Sequence, residues 1–69
     1  MAKISMTIDQ IEHGEDLNNA KQAIVKAGGE ILESEPNFEE ENCLFIVDIG
    51  DRKAADFEQR VDEILSGEE

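Results

Sequence analysis

Cys43-Leu44-Phe45-Ile46-Val47-Asp48-Ile49 is the one continuous apolar run in this sequence. Six of its seven residues are apolar and three are β-branched. At that length the run reads as a strand covered on at least part of both faces, the centre of a sheet. A half-buried edge strand would alternate cleanly, and this one does not. Upstream, Ala2 to Asp9 does alternate, with Ala2, Ile4, Met6 and Ile8 on one side and Lys3, Ser5, Thr7 and Asp9 on the other. That period of two marks a half-buried strand.

Between these strands the chain has room for a helix and a hairpin. A polar connection runs from Asp9 to Gly14, and Glu15 and Asp16 place negative charge where a first helical turn favours it. Leu17, Ala20, Ile24 and Ala27 then form one helical stripe, which Gly28-Gly29 ends. Glu30 to Glu35 reads as a second strand with Ile31 and Leu32 as its apolar content, and Pro36-Asn37 as the start of a turn. After the central strand, Gly50-Asp51 reads as a helix cap. A second helix carries Ala54, Phe57, Val61 and Ile64 on its inner stripe, Leu65 beside them, and Gly67 at its end.

The order β-α-β-β-α in an α+β domain has few solutions. A right-handed β-α-β unit makes the first two strands parallel, and the hairpin returns the third antiparallel. Inserting the third strand between the others gives the sheet order 1-3-2, with both helices on one face. This is a split β-α-β, the ferredoxin-like plan without its last strand. Ile4, Met6, Ile8, Phe45, Val47 and Ile49 then face the helices. Leu44 and Ile46, with Ile31 or Leu32, form an apolar patch on the open face, and the first strand is left as an unpaired edge. Self-association through that face or edge, as a homodimer or a small scaffold, follows as one expectation.

At 69 residues the chain is one domain with a thin core, having three Phe and neither Tyr nor Trp. No apolar segment approaches a bilayer span, no signal sequence is evident, and a lone Cys43 fits a reducing cytoplasm. The net charge of −12 argues against direct contact with nucleic acid or anionic lipid. Its distribution says more. Asp9, Glu12, Glu15 and Asp16 fill one window, and Glu30, Glu33, Glu35, Glu39, Glu40 and Glu41 another, with no Lys or Arg in either. In the expected topology both windows except Glu30 converge at one end of the sheet.

Three chemistries for that end fail on pattern. A hard-cation site would need ligands converging inward, and neither a calcium-loop pattern nor an inward arrangement of Glu39-Glu40-Glu41 is present. Acid–base catalysis would need buried carboxylates whose pKa values are driven apart. A Cys43–His13 nucleophile pair would join a strand residue of core type to an exposed loop. The expectation is therefore a non-enzymatic chain without cofactor or metal that binds a basic surface. Glu33 and Glu35, two residues apart on a strand, stand about 6.6–6.8 Å apart, a separation of the order of that between nucleic-acid charges. Phe38 would be the apolar anchor of the contact.

A very small, strongly acidic α+β chain with Glu33, Glu35 and Glu39 to Glu41 on one hairpin is similar in overall character to phage anti-restriction and anti-CRISPR inhibitors. Several of these act as nucleic-acid mimics. The resemblance implies a partner that handles nucleic acid, a protein or a ribonucleoprotein complex. The element order also resembles small metal-chaperone domains. Those carry Cys-x-x-Cys after the first strand, where this chain has Asp9-Gln10-Ile11-Glu12-His13-Gly14.

Overall fold

A computed structural model describes residues 2–67. The elements run β1 (Lys3–Asp9), α1 (Gly14–Lys26), β2 (Glu30–Asn37), β3 (Asn42–Asp48) and α2 (Ala54–Leu65). The three strands form one sheet in the order β1-β3-β2, with β3 antiparallel to both neighbours. The most apolar strand is thus the one with a partner on each side, as the 43–49 run requires. No helix among the described residues is long and apolar enough to cross a membrane.

Register decides which side chains share a face. Ile4–Val47–Ile31, Met6–Phe45–Ser34 and Ile8–Cys43–Pro36 are rows across the inner side of the sheet. Phe45, Val47, Cys43 and Ile49 are fully or almost fully buried there against Ala20, Ala23 and Ile24 of α1 and Phe57 and Val61 of α2. Each large apolar side chain so buried contributes roughly 1.5–3 kcal/mol. Lys3–Asp48–Glu30, Ser5–Ile46–Glu33, Thr7–Leu44–Glu35 and Asp9–Asn42–Asn37 are the rows of the other face, which no helix covers.

Glycine is required at two adjoining places. Gly28 takes φ +100° at the end of α1, where its amide donates to the Val25 carbonyl and that of Gly29 to the Ile24 carbonyl. A Cβ on Gly29 would stand 2.6 Å from Phe57 Cζ and 2.7 Å from Val47 Cγ1, so β3 and α2 close over this backbone. The Arg52 guanidinium in turn lies over Gly28.

Several expectations need correction. β2 runs on to Asn37 instead of turning at Pro36. Pro36 sits opposite Cys43 in an edge strand, where a missing N–H can be tolerated. The cap of α2 is Lys53, not Gly50-Asp51, because the Asp48 carboxylate accepts from the Gly50 amide at 2.9 Å and spends these residues in a turn. Ala54, at the first helical position, is exposed, so the inner stripe of α2 is Phe57 and Val61 with Ile64 at its margin. Ile11, in a connection read as polar, is 2% exposed and belongs to the core.

Candidate functional site

The two acidic windows meet. β1 ends and β3 begins at the same end of the sheet, where Asp9 lies opposite Asn42 and Asn42 opposite Asn37. The link beyond the strands is direct: the Ile11 amide donates to the Glu41 carbonyl at 2.8 Å. The loop carrying Glu12 and leading to Glu15 is thereby fastened to the turn carrying Glu39, Glu40 and Glu41. Glu30, opposite Asp48, is at the far end as expected.

The turn itself is built from local hydrogen bonds. The Asn37 side-chain oxygen accepts from the Glu40 amide at 3.2 Å, and the Phe38 carbonyl accepts from the Glu41 amide at 3.3 Å. Such a four-residue connection closes with one left-handed residue, and here that residue is Glu41, at φ +57°. Glycine or asparagine is the usual occupant of that conformation. Phe38 keeps 45% of its surface exposed at this tip instead of folding under the sheet.

Glu33 and Glu35 do share a face, but it is the open face of the sheet and not the tip. A bulge between Ile31 and Glu33 sets Leu32 and Glu33 against the single residue Ile46. Both residues of such a bulge lean to one side. Leu32, 45% exposed, therefore joins Leu44, 37% exposed, and the half-buried Ile46 on the open face, with Glu33 and Glu35 along its β2 margin. Ile31 goes to the core side, which settles the alternative between it and Leu32. The acidic surface thus bends from the tip onto an apolar patch.

Asp16 serves the fold. Its Oδ2 accepts from the Glu12 and His13 amides, each at 3.1 Å, and so satisfies donors at the start of α1. The other nominated carboxylates, Asp9, Glu12, Glu15, Glu33, Glu35, Glu39, Glu40 and Glu41, are exposed. Among the described residues, none of them lies within ion-pair distance of a Lys or Arg. An ion pair joins Arg60 to Glu63 on α2, at 3.6 Å. One contributor to this end escaped the sequence reading. α2 returns toward the tip, and Asp62 lines an open cleft with Ile8, Asp9, Gln10, Leu65 and Ser66.

Other chemistry finds little footing. Among the described residues no polar or charged side chain is buried, and no three His, Cys, Asp or Glu groups are placed to hold a metal ion. Cys43 is fully buried. Burial pushes its thiol up, against a smaller opposing effect of a backbone contact at Glu35 and the positive charge of Lys21. A buried thiol of this kind is a poor nucleophile. No protein-family model, curated protein or solved structure matches this chain.

Proposed function

We propose that this chain is a non-enzymatic binding protein whose acidic end engages a basic surface of a nucleic-acid-handling protein or ribonucleoprotein complex, inhibiting it by occupying the site of the phosphates. The observation that carries the reading is the Ile11–Glu41 hydrogen bond, which gathers carboxylates from two separate windows at one end, none of them ion-paired among the described residues. Crowding of like charge opposes folding. A surface kept that way calls for a use, and a Lys/Arg groove is the complementary one.

Two further features support it. Glu41 occupies a left-handed position that glycine would take with less strain. Phe38 and the Leu32–Leu44–Ile46 patch supply apolar area beside the charge, which an interface needs at its centre. Glu33, Glu35, Glu39, Glu40 and Glu41 provide the hairpin's share of the contact, and Asp9, Glu12 and Glu15 the loop's.

The test is affinity capture from the native host, followed by charge reversal. Lysine at Glu39, Glu40 and Glu41 together is expected to abolish capture of the partner. Lysine at Asp56, on α2, is expected to leave it intact. Equal losses at the two places would defeat the proposal, as would binding that strengthens when salt is raised from low to moderate concentration.

A further inference from the structure

The two edges of the sheet are not alike. β2 is blunted three ways, by the bulge at Leu32–Glu33, by Pro36, and by Glu30, Glu33 and Glu35 along its length. These are the devices by which natural sheets discourage pairing. β1 has no such device. It runs in unbroken register over seven residues, has no proline, and carries charge only at its ends, Lys3 and Asp9.

The direction of its free backbone groups follows from one hydrogen bond. The Ile49 amide donates to the Ala2 carbonyl at 2.8 Å, continuing the ladder in which Ile4 faces Val47. Hydrogen-bonded and non-bonded pairs alternate along an antiparallel ladder. Ile4, Met6 and Ile8 therefore spend their amides and carbonyls on β3, and those of Lys3, Ser5, Thr7 and Asp9 point out from the edge.

We infer that the occupant of this edge is a second copy of the chain, joined β1 to β1 in antiparallel fashion about a two-fold axis at Met6. In that register Lys3 stands opposite Asp9 of the other copy and Ser5 opposite Thr7, and each of these pairs brings outward backbone groups to outward backbone groups. About eight backbone hydrogen bonds can form. The charges at the ends match in both directions, because the axis makes every pair occur twice. On the inner side Ile4, half-exposed in the monomer, comes opposite Ile8. There it meets the cleft of about 400 Å³ between Ile8 and Leu65, while on the open face Lys3 comes opposite the Asp9 carboxylate.

The helices leave room for this arrangement, and the charge pairs at the ends of β1 offset part of the repulsion between two copies of net charge −12. α2 slants over the sheet: Phe57, near its start, packs on Val47 and Gly29, and Leu65, at its end, stands beside Ile8 to Gln10. The antiparallel axis places the two α2 ends at opposite ends of the joint. It also sets the acidic end of each copy beside the end of the other that carries Lys3. The product is one six-stranded sheet with all helices on one side, leaving both acidic turns free. This association shares Asp9 with the binding role proposed above and leaves Glu39, Glu40 and Glu41 to that role.

Sedimentation equilibrium from about 10 µM to about 1 mM tests it, with amide exchange measured over the same range. A monomer–dimer equilibrium is expected, with the Ser5 and Thr7 amides slowing as concentration rises. Lys3→Glu and Asp9→Lys are each expected to weaken the dimer by about tenfold or more. The double variant should recover it, a rescue that cannot arise inside one copy, where the two residues lie at opposite ends of β1. Thr7→Pro removes an outward donor without touching the β1–β3 ladder and is expected to give a folded monomer. A monomer throughout the range would overturn the inference. So would a dimer that survives Thr7→Pro, or one broken by Leu44→Glu alone.

Discussion

Replacing Glu41 by glycine should make the free protein more stable. A non-glycine residue in the left-handed region costs about 1–2 kcal/mol, and Glu41 sits there at φ +57°. Glycine removes that strain but gives back about 0.5–1 kcal/mol through its greater freedom in the unfolded chain. The difference is a gain of about 0.5–1 kcal/mol, which in a domain of this size raises the melting temperature by about 3–6 °C. Removing a carboxylate from beside Glu39 and Glu40 acts in the same direction. Glu41→Gln separates the two effects, since it keeps the strained backbone and loses only the charge. Urea and thermal unfolding followed by circular dichroism, at low and moderate salt, supply the measurement. The glutamine variant's gain should fade as salt screens the turn, and the difference between glycine and glutamine should persist. A glycine variant less stable than the glutamine variant would refute the reasoning.

Gly29→Ala forces a methyl group against Phe57 and Val47 and is expected to cost about 1–3 kcal/mol. Gly14→Ala, at an open helical position, should be neutral or stabilising; urea midpoints of the two variants decide. Cys43 gives a pH dependence. Burial holds its thiol protonated in the folded chain beyond the range in which the unfolded thiol ionises, near pH 8.5. The stability it contributes is full below about pH 8.5 and declines as pH rises through the folded value. Urea midpoints taken from about pH 7 to about pH 9.5 should fall in the native chain and fall less in Cys43→Val. Parallel slopes would show that the thiol plays no part.

The sheet order was legible because a single strand, 43–49, had apolar residues on consecutive positions and so had to be central. α1 was equally plain: its stop at Gly28-Gly29 depends on a conformation that glycine takes freely, and its stripe on a period that survives context. Ile11 was not legible, since an isolated apolar residue among Gln10, Glu12 and His13 has no periodic neighbour to announce it. Its place is set by tertiary structure: its side chain packs in the core, and its amide donates to the Glu41 carbonyl, 30 positions along the chain. Pro36 misled for a related reason. Whether a proline ends a strand depends on whether its nitrogen faces a neighbour or the outside, and that is a property of the assembled sheet. The bulge at Leu32–Glu33 is likewise invisible in a run where two apolar residues adjoin. It decides that Leu32 is exposed and Ile31 is not. Of the acidic surface, convergence at one end could be deduced from topology; Asp62 could not, because its helix reads as nearly balanced in charge.

The amide of Ile11 has a mechanical consequence. Its side chain is embedded in the core and its backbone grips the far turn, so the two carboxylate-bearing loops cannot splay apart to relieve their mutual repulsion. The loops are preorganised, and a basic partner of the kind proposed would meet them already in formation. Little ordering entropy is left for such an encounter to overcome. Weakening this one brace would let the free molecule relax while making it a poorer template.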